Sequence, residues 1–366
     1  MQAPHLMREQ DVQTLQATAG NKAVQRALSW DQADWSQTKY LDASGGGGGG
    51  VLFAGEKGPE VVVKPGEDMP AEGALAAFLI NKVAAAGGTG FGLAPGYRIP
   101  GKAEKQQIKK AFTPLVGKAG QKPRVADLVA KLDEAGVVVQ DVAQGKELKE
   151  VIKSVPKHTK KKLFGGGARK LRKNSPMRIF TDARAIHALG SVTAVDLFTG
   201  NRDRLLQFNW ENMMVSPYSL SMIDNIWMGT DMSRFRTGTV TLRDGSTTVI
   251  KADDALATWK GDREVGQLAA GDYAKIAETM FDRIHDEGSR KMQRRVDQQG
   301  FRQAMQAAKP LFLSSFSEGL QSGKEQLVIS LDRLRYTDFH NMVQGVGVAE
   351  FRRMVKARRD FLTGKG

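Results

Sequence analysis

The sequence predicts an α+β protein with two lobes, a smaller strand-rich part followed by a larger, mostly helical part. Short β-branched runs separated by turn residues occur early in the chain, together with one strongly helix-forming stretch. After residue 250 the apolar residues recur at helical spacing, with little strand signal. Strands followed by helices are typical of α+β proteins rather than of alternating βαβ units. We expect a leader at 1–30, an N-lobe at 31–143, and a C-lobe at 144–366 with a basic insertion at 153–178.

Composition narrows the classes of function. The 366 residues are 41% hydrophobic, which is enough to build a core. The formal net charge of +14 favours acidic partners such as nucleotides, phosphates, anionic lipids or nucleic acids. The chain contains no cysteine, so disulfides, thiol nucleophiles and cysteine-ligated zinc are excluded.

The sequence contains no recognisable membrane or secretory segment. No uninterrupted apolar stretch is long enough to form a transmembrane helix, and residues 1–10 are polar, unlike the apolar core of a secretory signal. We therefore expect synthesis and folding in a cytoplasm, and export by a non-classical machine stays open.

Two strands and one helix are expected in the first half of the N-lobe. Val51–Ala54 and Glu60–Lys64 are short apolar runs on either side of a turn, and Pro65-Gly66 is expected to end the second strand. Ala71–Ala84 is rich in helix formers, so we expect a helix there. Its expected apolar face consists of Leu75, Phe78, Leu79 and Val83.

The later elements follow from the same signals. The lysine-rich stretch 101–135 favours helix with a break at Pro114, and a strand at 136–145 and a helix opening at 146 come next. A helix is expected from Thr181 to about Leu197. Two hairpins are expected at 213–223 and 239–250, the second around an Asp-Gly turn.

A glycine run, a lysine and a glutamate occur in the order that a phosphate-binding cradle requires. The glycines lie before the first apolar strand, where their backbone can approach phosphates closely. Lys64 would supply a positive charge to the phosphates, and Glu72 would hold the lysine through an ion pair. Taken alone, the glycine run is more typical of a flexible linker. The glycines are Gly45, Gly46, Gly47, Gly48, Gly49 and Gly50.

Three polar residues after the 181–197 helix form a candidate catalytic and metal-binding set. Asp203 can accept or orient a hydroxyl proton. Asn212 and Asp224 offer the neutral and anionic oxygen ligands that Mg²⁺ prefers, and each lies beside an apolar strand. Asn209 is an alternative metal ligand. A solvated acidic loop followed by a β-turn is the other interpretation of the same residues.

The stretch from Asp196 to Asn225 resembles the catalytic and metal-binding segments of the phosphatidylinositol 3/4-kinase and HipA-type branch of the kinase-like superfamily. The resemblance is carried by Asn201-Arg-Asp-Arg204, by the asparagines that follow, and by Met222-Ile-Asp-Asn225. It implies a two-lobed protein-kinase-like fold and phosphoryl transfer from ATP with Mg²⁺. It further implies that Asp203 and Arg204 are catalytic, that Asp224 is the principal metal ligand with Asn212, and that Lys64 contacts the phosphates.

In such folds the connector between the lobes meets the adenine edge through its main chain. The resemblance therefore implies that Gln140, Asp141 and Val142 contact the nucleotide. A core strand followed by an ordinary turn is the plainer interpretation of this stretch.

The chain departs from the family pattern in several respects, among them a glycine run without the usual aromatic residue and the presence of Glu67 and Asp68 near Lys64 as alternatives to Glu72. Asn212 follows Asp203 by nine positions and Asn209 by six, whereas the family spacing is about five. In addition, the His-Arg-Asp, Asp-Phe-Gly and Ala-Pro-Glu triplets are absent, which disfavours an ordinary eukaryotic-type protein kinase.

Residues 15–28, LQATAGNKAVQRAL, resemble the leader of many bacterial proteins linked to extracellular contractile injection systems. This second resemblance implies an effector or toxin that is loaded into a phage-tail-like particle and delivered into a target cell.

Two classes of function follow from these observations. The first is a kinase-like phosphotransferase that acts on a protein, lipid or small-molecule hydroxyl, with nucleotidyl transfer by the same fold as a variant. The second is a non-enzymatic basic module in which 153–178 binds nucleic acid or an anionic membrane. ATP·Mg²⁺ binding that depends on Asp224 separates the two classes.

Overall fold

The computed structural model is a mixed α+β protein. It describes Trp35 and residues 51–53, 61–67, 70–87, 91–116, 124–134, 136–141, 143, 145–161, 169–202, 204, 209–216, 219–222, 238–250 and 253–365. Among these residues no helix is long and apolar enough to cross a membrane.

The first sheet is antiparallel and has the strand order β1-β2-β5-β4. Its strands are β1 (Val51–Phe53), β2 (Val61–Glu67), β4 (Tyr97–Arg98) and β5 (Gly136–Asp141). Three helices accompany it: α1 (Pro70–Gly87), α2 (Lys102–Phe112) and α3 (Arg124–Glu134). The β-branched valines of β2 and β5 suit two neighbouring strands that are largely buried.

The two faces of this sheet have different neighbours. Val63 and Val139 are directly opposite each other and belong to a buried cluster with Phe112 of α2 and Leu132 of α3. Because side chains alternate along a strand, Lys64 lies on the opposite face, toward α1.

A second sheet joins distant parts of the chain in the order β3-β10-β9-β6. Its strands are β3 (Phe91–Leu93), β6 (Lys146–Glu147), β9 (Met213–Ser216) and β10 (Ser219–Met222). β3 is parallel to β10, and β9 and β10 form an antiparallel hairpin. Residues 142–145 join β5 directly to β6, so this short connector passes from the first sheet to the second.

The helical part is built around two helices in close contact, α5 (Ala183–Thr199) and α9 (Arg295–Asp332). Asp182 caps α5, because its carboxylate accepts from the backbone N–H groups of Arg184 and Ala185. A Cβ at Gly319 would collide with the carbonyl oxygen of His187, and one at Gly323 would lie 2.7 Å from the backbone of Ser191. Glycine is therefore needed where these helices touch.

The remaining elements surround this helix pair. The strands are β7 (Thr159–Lys161), β8 (Arg169–Leu171), β11 (Gly238–Leu242), β12 (Thr247–Ile250) and β13 (Val343–Gln344). The helices are α4 (Leu148–Ser154), α6 (Asp253–Lys260), α7 (Arg263–Ala270), α8 (Tyr273–Arg290), α10 (Tyr336–His340) and α11 (Val346–Leu362). Short 3₁₀ turns occur at Thr113–Leu115, Pro176–Phe180 and Trp210–Asn212.

Most predicted elements are confirmed, but the predicted end of β2 is wrong. The strand continues beyond Lys64 to Glu67, with an irregular register between Pro65 and Glu67. The described part of β1 pairs only with residues 61–63, so Pro65 has a single strand neighbour among the described residues. Its missing N–H is tolerated at such an edge, where the register is already irregular.

Two further expectations for the N-lobe are corrected. Helix α1 is buried on more than one face. Twelve of its residues, Glu72 among them, are buried, and Phe78 is half-buried. The helix lies between the first sheet and the pair α5 and α9, so it has neighbours on several sides. Strands β3 and β4 were not expected from the sequence.

Candidate functional site

Lys64 and Gln140 are diagonal neighbours on the α1-facing side of the first sheet. In the register of β2 and β5, Lys64 is opposite Val138 and Val62 is opposite Gln140. Diagonal neighbours of this kind have Cα atoms about 7–8 Å apart. A cationic side chain and an amide side chain thus lie on one face, next to the connector that leads into the second sheet.

The side-chain amide of Gln140 is an unusual feature of this face. Gln140 is 5% exposed, and its Oε1 atom has no hydrogen-bond partner among the described residues. A buried carbonyl oxygen without a donor destabilises the fold by about 1–3 kcal/mol. Such a group calls for an explanation, such as a bound ligand or water that donates to it.

Glu72 is buried near the start of α1, at 1% exposure. Its carboxylate lies close enough to Arg358 of α11 to affect that side chain. Burial lowers the pKa of Arg358 to about 9, and the charge of Glu72 opposes this shift. The arginine is therefore cationic at neutral pH. Glu72 thus faces the C-terminal helix as well as belonging to the helix that follows Lys64.

The C-terminal end of α5, which leads into the candidate catalytic segment, is fixed by side chains from later in the chain. Trp259 Nε1 donates to the carbonyl oxygen of Leu197 at 2.7 Å, and Arg358 Nη1 donates to that of Phe198 at 2.7 Å. The arginine also lies 5.0 Å from the centre of the Trp259 ring. Gly200 then ends the helix with φ of +75°, a conformation that favours glycine.

A buried ion pair closes the segment back onto α5. Arg204, at 1% exposure, donates to both carboxylate oxygens of Asp196, with Nε 3.1 Å from Oδ2. Burial raises the pKa of Asp196, and Arg204 opposes that shift. A two-point contact between a guanidinium and a carboxylate fixes orientation as well as distance.

Arg202 is anchored in another direction, onto the first turn of α7. Its Nη1 lies 2.9 Å from Asp262 Oδ2, and its Nη2 lies 3.1 Å from Glu264 Oε2. Burial raises the pKa of Asp262 although Arg202 opposes it. The two arginines that flank Asp203 in the sequence are therefore both held by carboxylates of the helical part.

Asn212 is placed at the start of the β9–β10 hairpin. Its side chain is 4% exposed, and its backbone N–H donates to the carbonyl oxygen of Asn209 at 3.2 Å. The next residue, Met213, is paired with Met222 at the end of β10. Asp224 follows Met222 by two positions in the sequence.

Several predicted site residues lie outside the described residues. They are Gly45–Gly50, Val142, Asp203 and Asp224. No group of three or more His, Asp or Glu side chains among the described residues could hold a metal ion. The roles predicted for Asp203, Asp224 and the glycine run therefore stay predictions, as does the choice between Asn209 and Asn212 as metal ligand.

Sequence reasoning did not identify the residues that support the segment. Asp196 contacts it from the preceding helix, and Asp262 and Arg358 contact it from 60 residues or more away in the chain. Only the Asp196–Arg204 pair, eight residues apart, left a local signal, an isolated aspartate in the apolar part of a helix. No protein-family model matches the chain, and no curated protein matches it in sequence.

Proposed function

We propose that the protein is a phosphotransferase that uses ATP and Mg²⁺ and has the two-lobed arrangement of kinase-like proteins. The observation that carries the proposal is the buried, unpartnered Oε1 of Gln140 beside Lys64, at the connector between two sheets. Both residues match positions that the resemblance assigns to nucleotide contact.

The adenine amino group would donate to the side chain or main chain of the β5 end. Oε1 of Gln140 accepts one hydrogen bond there, which relieves the buried oxygen described above. Lys64, its diagonal neighbour, then lies on the side from which a phosphate chain is contacted. The glycine run precedes β1 in the sequence and supplies backbone N–H groups to the phosphates.

The proposed acceptor-activating group is Asp203. Its sequence neighbours Arg202 and Arg204 are bound to Asp262, Glu264 and Asp196. Asp203 would take the proton of the acceptor hydroxyl as that oxygen bonds to the γ-phosphorus of ATP, while the bond from this phosphorus to the β–γ bridging oxygen breaks and ADP leaves.

The donor set suits a magnesium ion. Asn212 offers a neutral amide oxygen at the start of β9, and Asp224 offers a carboxylate soon after β10. Such hard oxygen donors, completed by waters and phosphate oxygens, are what Mg²⁺ binds. ATP would supply the phosphoryl group, and a bound Mg²⁺ would supply positive charge close to it.

The delivery and the acceptor are further parts of the proposal. The leader at 1–30 marks the chain as a bacterial effector or toxin of a contractile injection system, through its resemblance to such leaders. The acceptor is a hydroxyl group of a protein, a lipid or a small molecule.

The decisive experiment combines titration calorimetry with ATP·Mg²⁺ and transfer of label from γ-labelled ATP to lysate, lipid and small-molecule pools. We expect Asp224→Ala to lose Mg²⁺-dependent nucleotide binding. Asp203→Ala should keep near-normal binding while turnover falls by about 10² or more. Gln140→Met should weaken ATP binding without loss of fold stability, because it removes an unsatisfied oxygen at similar volume.

Asp282→Ala is the matched control, an exposed carboxylate on α8 outside the proposed site. It should leave binding and turnover unchanged. Loss of nucleotide binding in Asp203→Ala combined with full activity of Asp224→Ala would show that these roles are wrongly assigned. Label transferred from α-labelled but not γ-labelled ATP would indicate nucleotidyl transfer.

A further inference from the structure

The basic run 153–178 folds in part into a two-stranded hairpin with like charges opposite each other. Lys160 of β7 is directly opposite Lys170 of β8, and the next pair in register is Lys161 with Arg169. Lys160 and Lys170 are both exposed, and neither has a carboxylate partner among the described residues. Directly opposed like charges destabilise a strand pair.

The hairpin is nevertheless firmly held on α9. Asp297 Oδ1 accepts from the backbone N–H of Thr159 at 2.9 Å and from its hydroxyl at 2.7 Å. The contact is so close that a Cβ at Gly300 would lie 2.7 Å from Thr159 Cγ2. Arg169 Nε donates to the same hydroxyl at 2.8 Å. The opposed Lys160 and Lys170 are therefore held in place by the contacts between the hairpin and α9.

A buried histidine fixes the entry to the hairpin. His158 Nε2 donates to the carbonyl oxygen of Ile152 at 2.8 Å, since a carbonyl can only accept, and Nδ1 is hydrogen-bonded to the hydroxyl of Ser175 at 3.1 Å. Arg294, at the start of α9, donates to the carbonyl oxygen of Pro156 at 3.2 Å. Both ends of the hairpin are thus attached to the helical part.

Further cations extend this surface, which we call the hairpin surface. Each is exposed and has no carboxylate partner among the described residues. Exposed cations that are not paired with a carboxylate attract polyanions over about a Debye length. The residues are Lys157, Lys160, Lys170, Lys173, Lys291 and Arg295.

We propose that the hairpin surface binds the phosphate backbone of a nucleic-acid duplex without reading its sequence. A phosphate between Lys160 and Lys170 would be attracted to both ammonium groups, and its negative charge would reduce the repulsion between them. Exposed cations predominate among the exposed described residues of β7, β8 and the turn after β8, as expected of a surface that contacts backbone phosphates.

This binding is separate from phosphoryl transfer, because none of these lysines belongs to the proposed nucleotide site. The test uses the full chain and a labelled mixed-sequence duplex of about 20 base pairs, titrated between about 50 and 200 mM salt. We expect the affinity to fall steeply with salt and to be equal for a second duplex of unrelated sequence.

The double variant Lys160→Gln, Lys170→Gln should weaken duplex binding by about tenfold at the lowest salt. It should also reduce the slope of log affinity against log salt by about 2, one per lysine. The matched control is Lys110→Gln, Lys131→Gln, which removes the same charge from exposed positions of α2 and α3 and should keep the slope.

Three results would overturn the proposal. They are no duplex binding at the lowest salt, an unchanged slope in the hairpin variant, and an equal loss of slope in the control. Vesicles with about one third anionic lipid serve as the competing class. Vesicle binding that depends on Lys160 and Lys170, without duplex binding, would assign the surface to a membrane instead.

Discussion

Cationic side chains are frequent both in the segment around Arg202 and Arg204 and in the β7–β8 hairpin. In the segment they are paired with carboxylates, whereas in the hairpin they are exposed. In the first, each described arginine is bound to carboxylates of the helical part. In the second, Lys160 and Lys170 are exposed opposite each other, and neither has a carboxylate partner in the described part of the chain. A charge that is fixed by its own chain serves to position its neighbours, whereas a charge left exposed is available to a partner molecule.

The two regions also place a carboxylate in contrasting surroundings. Burial raises the pKa of Asp196 despite its arginine. For Asp297 burial acts in the same direction, but hydrogen bonds from Thr159 and the His158 backbone, together with the charge of Arg294, outweigh it and lower the pKa. Asp196 is buried beside a single cation, whereas Asp297 accepts hydrogen bonds from the strand that it anchors.

The largest expected effect is that of Arg204→Ala. Removing the guanidinium leaves Asp196 buried at 2% exposure without its cation, and breaking such a pair costs about 3–5 kcal/mol. Urea unfolding measures the loss. The control, Arg295→Ala, removes an exposed arginine of the hairpin surface and should change stability by less than about 0.5 kcal/mol. Equal effects from the two variants would contradict the distinction between the regions.

Gly319→Ala comes next. The added methyl would meet the carbonyl oxygen of His187, so α5 and α9 must separate, at a cost of about 1–3 kcal/mol. Gly266→Ala in α7 is the matched control, since a Cβ there meets nothing within 4 Å. It should stabilise the protein by up to about 1 kcal/mol by restricting the unfolded chain. Thermal unfolding of both variants checks the difference in sign.

Asp297→Ala should loosen the hairpin while leaving the rest of the fold in place. Hydrogen exchange at Thr159 and its neighbours should accelerate by about tenfold or more, as expected when two donors lose their acceptor. Thr337→Ala is the control, an exposed residue of α10 that should leave this exchange unchanged.

The pH dependence of the anchor has a definite sign. Because the folded pKa of Asp297 is lowered, the folded state releases its proton more readily than the unfolded chain. The stabilisation is complete above the unfolded value of about 4 and is lost as the pH falls through the folded pKa. Protection of the Thr159 amide, measured as its exchange rate relative to the intrinsic rate at the same pH, should therefore fall on acidification in the unchanged protein, and the variant should lack this pH-dependent fall.

The smallest effect is expected for Lys160→Gln alone. Removing one member of the opposed pair should stabilise the hairpin by less than about 0.5 kcal/mol at low salt, and added salt should abolish the gain. A thermal-unfolding series over salt concentration measures it. A destabilisation that persists at high salt would mean that the lysine makes a favourable contact within the chain.

Local signals were sufficient for much of the fold. Helices α1 and α5 and the β11–β12 hairpin lie where propensity, capping and turn residues indicate, with Asp182 as the cap of α5 and Gly245 at φ of +83° in the turn. Strands β3 and β4 escaped detection because they are three and two residues long. β3 also pairs with β10, which is more than 120 positions away.

The site could be predicted only in part for a similar reason. Residue types and order pointed to Lys64, Gln140 and Asn212, and the structure describes where these lie. The unpartnered oxygen of Gln140 and the contact between Arg202 and Asp262 depend on how distant elements pack. No spacing rule along one chain contains that information.

The fixed end of α5 has a consequence for the order in which the protein is made. The ribosome releases the chain from its N-terminus, so residues 196–204 emerge well before Trp259, Asp262 and Arg358, which hold them. Until α11 has left the ribosome and packed, the helix end lacks its last hydrogen bond. A nascent or truncated chain that ends before Arg358 therefore lacks one of the hydrogen bonds that hold the end of α5.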